Sequence, residues 1–269
     1  MFLPESIDLG HSEKYTLSVR IKPNGFMFAI CEYGNSKNYC LRETTFSEGD
    51  NLLSNLQRIV FDLNFLTQEF RQTNVIIVSS DYELVPATYM ETKEKDSLYN
   101  FTQTTKAGHV LSGLIDKEDI VTLFNIEAGI YEFLCRNLWN PQFYHHSNLI
   151  ANHCENKELH SVQKAKMYIN FHDEFMDILC FSLSGLTHSL TFENEPPMNQ
   201  VYFILKLWEA CEFDQINDCV YIIGKPDDMI VIRLQEYIKN IEWLNPPSEI
   251  YLWSEDAQKS PLDLLTLAL

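Results

Sequence analysis

Apolar and polar residues alternate along a segment near the start of the chain, residues 15–46. Apolar residues occupy every second position across residues 17–21, up to a turn at residues 22–25 with the sequence Lys-Pro-Asn-Gly. The alternation resumes across residues 26–30, and a second turn follows at Gly34. Alternation with a period of two, interrupted by turn residues, predicts a three-stranded antiparallel meander.

A second segment, residues 166–194, repeats this pattern at a constant offset of 150 positions. The apolar run at residues 26–30 corresponds to residues 176–180, and the turn at Gly34 corresponds to Ser184. After each meander, apolar residues at helical spacing predict an amphipathic helix, and the short runs NVIIVSS and CVYIIGK then predict a strand. The order β-β-β-α-β therefore occurs twice, which indicates an internal duplication.

Local signals predict the remaining elements. We expect Asp50 to cap the helix after the first meander and Pro197 to precede the helix after the second. Between the repeats we expect a polar loop from Ser97, strands at residues 110–115 and 120–126, and helices at residues 128–139 and 147–160. Later we expect a helix from Asp227 or Asp228 to Lys239, a strand at residues 250–253, and a C-terminal helix capped by Ser260.

The repeated pattern predicts two domains. Residues 1–150 are expected to form the first lobe. Residues 151–269 are expected to form the second, and this range includes the apolar end SPLDLLTLAL as a helix docked on the body. A β-β-β-α-β core made twice is similar to the ground plan of the duplicated ribonuclease-H-like superfamily, which includes actin, the heat-shock ATPases and sugar kinases. The predicted fold class is therefore α/β with mixed sheets.

The chain more closely resembles an uncharacterised bacterial family assigned an actin-like ATPase fold. The segments that carry this resemblance are SVRIKPNGFMFAI, NVIIVSSDYELVP and SPLDLLTLAL. The resemblance implies two ribonuclease-H-like lobes in the actin-like ATPase architecture, and it implies no particular activity.

Active members of this fold bind phosphates at a tight turn in each lobe that typically reads Asp-x-Gly. On that resemblance, the candidate nucleotide contacts in a cleft between the lobes are Lys22, Asn24, Gly25, Asp173, Gly224 and Lys225. The first turn has a glycine but no acid, whereas the second has two carboxylates and no glycine. A carboxylate about 4 Å from a phosphate costs about 4 kcal/mol at an effective dielectric constant of 20, unless a metal lies between them. The sequence thus predicts degenerate phosphate turns, no catalytic residue and no cofactor, with Mg-ATP retained as an alternative.

Two other chemistries are disfavoured by residue type and spacing. Nucleases of this fold need convergent carboxylates that hold two metals, but the first strands carry Arg20 and Asn170 at the matching position. His146, His153 and His160 lie seven residues apart, which on a helix separates neighbours by about 10.5 Å. Zinc holds each ligand at about 2.0–2.3 Å, so these histidines are not expected to share an ion.

Composition limits the classes of partner and the cellular location expected of the protein. A formal net charge of −18 repels nucleic-acid phosphate and anionic lipid, and self-repulsion favours a monomer or dimer. No window approaches the ~20 apolar residues of a membrane-spanning helix, and the N-terminal segment lacks the basic region of a signal peptide. The 7 cysteines include no Cys-x-x-Cys pair, which indicates reduced thiols and a cytoplasmic location.

The leading hypothesis is a catalytically inactive actin-like protein, a pseudo-ATPase, that acts as an interaction or scaffold module for a protein partner. One alternative is a divergent ATP-binding ATPase or kinase that uses the cleft between the lobes. Another is a binder of a small ligand without phosphate in that cleft.

Overall fold

The chain divides into two units in the computed structural model, which describes residues 3–47, 49–90, 94–103, 108–158, 164–244, 246, 250 and 254–268. The first unit comprises Met1–Ile150 and Pro246–Leu269, and the second comprises Ala151–Asn245. Among the described residues, no helix combines the length and the apolar character that crossing a membrane requires.

The first unit contains two sheets. Its elements are β1 (Tyr15–Lys22), β2 (Gly25–Glu32), β3 (Asn35–Thr45), α1 (Leu52–Asp62), β4 (Gln72–Ile77), β5 (Tyr82–Pro86), α2 (Ala87–Met90), α3 (Lys95–Thr102), β6 (His109–Ile115), β7 (Ile120–Ile126), α4 (Ala128–Asn137), β8 (Pro141–His145) and the start of α5 (His146–Glu158). The main sheet has the strand order β3-β2-β1-β4-β8, with β1, β4 and β8 parallel. The small sheet has the order β5-β7-β6.

The second unit repeats the main sheet without the small one in the part of the chain described. Its elements are β9 (Lys166–Phe171), β10 (Phe175–Ser182), β11 (Gly185–Glu193), α6 (Pro197–Ala210), β12 (Cys219–Ile223), α7 (Asp228–Leu234) and β13 (Asn240–Trp243). The strand order is β11-β10-β9-β12-β13. Two short helices, α8 (Glu255–Lys259) and α9 (Leu262–Thr266), complete the described chain. The β-β-β-α-β order predicted twice is therefore present twice.

Each unit buries one face of its five-stranded sheet in an apolar core of its own. In the first unit, alternate residues of β1 and β2 pack against α1 and α4. In the second unit, alternate residues of β9 and β10 pack against α6 and α7. The positions related by the offset of 150, namely Phe26, Phe28 and Ile30 and their counterparts Met176, Ile178 and Cys180, are all buried in these cores. Fully burying one such large side chain contributes about 1.5–3 kcal/mol.

The opposite face of the first sheet is buried as well, by the C-terminal segment. Arg20 projects from the central strand β1 and forms an ion pair with Asp263, with 2.7 Å between Nε and Oδ2. Only 7% of the Arg20 side chain and 3% of the Asp263 side chain are exposed. The sequence assigned this segment to the second lobe, and that assignment was wrong, because the pattern SPLDLLTLAL shows an apolar face but not which sheet needs a carboxylate.

The C-terminal segment also covers the outer edge of β3. The Ser254 hydroxyl donates to the carbonyl of Tyr39 at 2.8 Å, and the N–H of Leu41 donates to the Asp256 carboxylate at 3.1 Å. Asp256 in addition pairs with Arg42 at 2.8 Å. An edge strand whose backbone groups are bonded in this way cannot recruit another strand at those positions.

Several predicted boundaries were wrong. The segment predicted as a loop from Ser97 begins instead within α3, which continues to Thr102 and is anchored by the buried side chain of Tyr99. Strands β5, β8 and β13 were missed, since each has only four or five residues and too short an alternation to detect. Pro141 begins β8, a position at which an edge strand tolerates proline.

Two predicted caps and one predicted helix end were also wrong, and one predicted strand lies mostly outside the described residues. Asn51, not Asp50, caps α1 by accepting from the N–H of Ser54 at 2.7 Å. Ser260 lies before Pro261, which is the N-cap residue of α9. The helix predicted to reach Lys239 ends at Leu234. The strand predicted at residues 250–253 lies outside the described residues except for residue 250.

We predict that Arg20→Met lowers the free energy of unfolding by about 3–5 kcal/mol, because Asp263 is left buried without a counter-charge. The double change Arg20→Met and Asp263→Leu should recover much of that loss. Lys206→Met, which removes one partner of an exposed pair with Glu209, should leave the free energy of unfolding nearly unchanged. Urea unfolding of the unchanged protein and of these three variants measures the differences. Equal losses for Arg20→Met and Lys206→Met would contradict the role given to the buried pair.

We also predict that stability decreases in alkali. Burial raises the pKa of the Cys31, Cys40 and Cys219 thiols from 9.0 to about 11. The unfolded chain therefore loses these protons first, so this contribution is complete below about pH 9 and declines as the pH rises through about 11. Urea midpoints between pH 8 and pH 11 measure the slope. Cys40→Ala should reduce the slope and Cys135→Ala, at an exposed thiol, should not; equal slopes in all three proteins would contradict this account.

Candidate functional site

The predicted phosphate turn of the first unit connects β1 and β2. Lys22 Nζ donates to Glu43 Oε1 at 2.8 Å, and only 15% of the Lys22 side chain is exposed. The carbonyl of Asn24 accepts from the N–H of Phe46 at 3.1 Å. A Cβ added at Gly25 would lie 2.9 Å from the carbonyl oxygen of Thr44. Gly25 thus permits the close approach of β3, and the ammonium group of Lys22 is held by a carboxylate of the same sheet.

The corresponding turn of the second unit connects β9 and β10. Asp173 and Glu174 are exposed at its tip, and their backbone carbonyls accept from the side chain and the backbone N–H of Asn194 at 2.7 and 2.8 Å. The turn closes through the N–H of His172, which donates to the carbonyl of Phe175 at 2.9 Å. The structure therefore places two carboxylates and no glycine where the fold would need donors for a phosphate.

A buried polar network lies directly behind this second turn. His172 Nε2 is 2.9 Å from Asp177 Oδ2 and 2.9 Å from the side-chain nitrogen of Asn170. The hydroxyl of Thr191 donates to Asp177 Oδ1 at 2.5 Å. The Asp177 side chain is 3% exposed and the His172 side chain 7%. The sequence analysis did not identify this network. A signal was present, since an acid within the apolar run FMDILCF is unusual for a buried strand.

The remaining candidates in the second unit, Gly224 and Lys225, follow the parallel strand β12. Gly224 has a φ of +83°, and a Cβ added there would lie 2.5 Å from the carbonyl oxygen of Phe171 at the end of β9. This glycine is therefore required for the close approach of two strand ends. Lys225 is exposed beside it. Because β9 and β12 are parallel, the structure brings Asp173, Gly224 and Lys225 to the same edge of the second sheet.

The carboxyl edge of the first sheet holds a second buried polar group. His145 ends β8 and is fully buried, with Nδ1 2.7 Å from the hydroxyl of Ser147 and Nε2 3.3 Å from the hydroxyl of Ser79. The rings of Tyr82 and Phe124 lie 4.9 and 5.3 Å from the His145 ring, centroid to centroid. In parallel sheets this edge commonly carries the binding site. Here its polar side chains are bonded to one another.

The ring of His146 lies 4.4 Å from that of His145, centroid to centroid. His146 begins α5 and is fully buried, with Nδ1 3.3 Å from the carbonyl of Ile77. His153 lies seven positions further along the same helix, as the sequence predicted. His160 lies outside the described residues.

The sequence model of the family described as "Protein of unknown function (DUF3822)" matches residues 4–241. The chain belongs to this family. No protein with a curated description matches the chain.

Two solved structures show which fold this DUF3822 protein has. A protein from Bacteroides thetaiotaomicron with an actin-like ATPase fold and unknown function is 24% identical, with a TM-score of 0.83, over 97% of this chain and 98% of that one. A chain of the PilM–PilN type IV pilus biogenesis complex is 12% identical, with a TM-score of 0.64, over 94% of this chain and 97% of that one. The DUF3822 protein therefore has the actin-like ATPase fold, as its sequence predicted.

The residues at the two turns of the DUF3822 protein fit a magnesium nucleotide poorly. Lys22 already has a carboxylate partner, and Arg20 stands on β1 where an acid would be needed to hold the metal through water. The second turn places Asp173 and Glu174 at its exposed tip. We accordingly assign no chemical step to a nucleotide at these turns.

We predict that Asp177→Asn destabilises the DUF3822 protein by at least about 2 kcal/mol, because the new amide cannot accept from both His172 and Thr191. Glu174→Gln also converts an acid to its amide, at the exposed tip of the turn, and should alter stability by no more than about 0.5 kcal/mol. Urea unfolding measures both variants. Similar losses for the two would contradict a structural role for the network behind the turn.

Proposed function

We propose that this DUF3822 protein is an actin-like protein that does not turn over nucleotide and that acts by binding a protein partner. The observation that carries the proposal is the use of the phosphate-turn residues for internal contacts. Lys22 bonds to Glu43, and Gly25 accommodates the backbone of Thr44. Groups with such roles within their own sheet are poor ligands for a phosphate.

Electrostatics support the same proposal. A phosphate at the second turn would meet Asp173 and Glu174, in a protein whose formal net charge is −18. Each such carboxylate at about 4 Å costs about 4 kcal/mol at an effective dielectric constant of 20. The backbone of Gly224 packs closely against the carbonyl of Phe171, so this glycine already has a role within its own sheet.

The fold neighbours support a binding role. The similar chain from type IV pilus biogenesis was solved as part of a complex with another protein, PilM with PilN. That neighbour provides a precedent for partner binding on this fold. The described residues contain no disulfide among the 7 cysteines, which supports the cytoplasm, a reducing compartment, as the place where the DUF3822 protein would meet its partner.

The test is thermal unfolding of the chelator-treated protein with millimolar Mg-ATP, Mg-ADP or Mg-GTP, combined with a phosphate-release assay. We expect no shift and no release above the blank. A ligand at 100 times its Kd would add about 2.7 kcal/mol, a shift of several degrees that is easily seen.

Matched lysine variants identify the cause if nucleotide does act. Lys22→Ala removes the candidate phosphate contact, and Lys206→Ala removes an exposed lysine that also pairs with a glutamate. Phosphate release that is lost in Lys22→Ala and kept in Lys206→Ala would overturn the proposal in favour of the ATPase alternative.

A further inference from the structure

Two cysteines and a histidine lie close together on the helix-facing side of the second sheet. Cys180 lies on β10 and is fully buried in the apolar core of this unit. Cys211 is the C-cap residue of α6, and its half-buried side chain packs against the same core. His188 lies on β11 and is exposed. Two thiols and an imidazole therefore meet where the end of α6 crosses the edge of the sheet.

Strand register and side-chain contacts place these three groups together. Cys180 and His188 are partners in the antiparallel ladder of β10 and β11, so their side chains lie on the same face of the sheet. His188 Nδ1 is 3.4 Å from Cys211 Sγ. The two thiols also interact: burial raises the pKa of both, and their interaction lowers the pKa of Cys211 and raises that of Cys180 further.

Packing alone does not require a thiol at the position of Cys180. Its counterpart at the offset of 150 in the first unit is Ile30, which is likewise fully buried in its core. An aliphatic side chain therefore suffices for the packing of this strand. Cys180 differs from Ile30 in its chemistry, which it can use because a second thiol and an imidazole lie beside it.

We propose that Cys180 and Cys211 form a reversible disulfide when the protein meets a peroxide, and that His188 takes the proton from Cys211. The pair is then a redox modification site of the second unit. It is independent of the proposed partner-binding function.

The reaction begins at Cys211, because Cys180 is fully buried and a peroxide reaches the half-buried thiol first. The proton of Cys211 moves to His188 Nδ1, and the thiolate attacks one oxygen of the peroxide. An S–O bond forms, the O–O bond breaks, and the leaving hydroxide takes the proton from His188 to become water. Cys211 is now a sulfenic acid.

Cys180 completes the reaction. Its sulfur attacks the sulfenic sulfur of Cys211, so that the S–S bond forms and the S–O bond breaks. The hydroxide that leaves takes the proton of Cys180 and becomes a second water. Two thiols are oxidised in total, and one peroxide is reduced to two waters.

Burial sets the pace of this reaction. The thiolate is the reacting form, and burial raises the pKa of the Cys211 thiol, so little thiolate is present at neutral pH. The pair therefore responds to sustained oxidation and not to a brief pulse of peroxide. In a reducing compartment such a disulfide is transient, since thiol reductants return it to the dithiol.

A disulfide here would link the end of α6 to β10. Residues 180 and 211 are 31 positions apart, so the link closes a loop that contains β11 and α6. Closing a loop of this size restricts the unfolded chain and stabilises the folded one. We therefore expect oxidation to raise the thermal midpoint by several degrees.

The test uses the full chain, reduced with dithiothreitol, desalted and then treated with hydrogen peroxide. Remaining thiols are blocked with N-ethylmaleimide, and the protein is digested without reductant for mass spectrometry. We expect a pair of peptides joined through Cys180 and Cys211 that separates on addition of dithiothreitol. Cys135, an exposed thiol on α4, reports in the same sample that the peroxide dose was sufficient.

Matched variants separate the pair from other thiols. Cys211→Ala removes the reacting thiol, and Cys219→Ala removes another thiol of the same unit. We expect oxidation to raise the thermal midpoint of the unchanged protein and of Cys219→Ala, and to leave that of Cys211→Ala where it was. His188→Gln should slow disulfide formation several-fold at pH 7, whereas His11→Gln, at another exposed histidine, should not.

Three outcomes would overturn the proposal. They are a dose that oxidises Cys135 without joining the Cys180 and Cys211 peptides, a disulfide from Cys211 to a different cysteine, and an equal rise of the midpoint in Cys211→Ala. Equal rates in His188→Gln and His11→Gln would overturn the role given to His188. The joined peptides are sought in the unchanged protein, so this result stands even where an alanine variant fails to fold.

Discussion

A guanidinium group in the middle of a sheet requires a buried counter-charge. Arg20 lies on β1, the central strand of its sheet, and its side chain is almost fully buried. The counter-charge is Asp263, which is 243 residues away along the chain. This pair fixes the C-terminal segment on the first unit, and the same segment then covers the edge of β3 through Ser254 and Asp256. Because of this pair, the first unit carries the C-terminal segment on one face of its sheet and along the edge of β3.

The second unit buries a different charged group in its meander. Asn170 stands at the position equivalent to Arg20 on its first strand, and the carboxylate of Asp177 is buried on the neighbouring strand. Its partners His172 and Thr191 come from the same meander. The polar contacts on this face of the sheet therefore differ between the two units. Duplication preserved the apolar core and left the polar face free to diverge.

The sequence predicted the elements whose signal is long and periodic. The two meanders and their helices follow from alternation and helical spacing over many residues, and the offset of 150 is seen again in both cores. Strands β5, β8 and β13 have too few residues to show a period, and the docking of α9 depends on a partner that no local pattern identifies. At the candidate turns, residue types were enough to predict missing glycines and acids. They could not reveal that Lys22 is paired with Glu43, because that contact depends on the register of β3.

The separation between Arg20 and Asp263 along the chain also sets the order in which the two units can complete their folding during translation. The second unit is continuous in sequence, so all of its strands are available once about residue 245 has been made. The first unit begins earlier but must wait for Asp263, which is synthesised after the whole second unit. During synthesis Arg20 faces water or transient partners while its sheet is incomplete. The half of the molecule that is translated first is thus the half that is finished last.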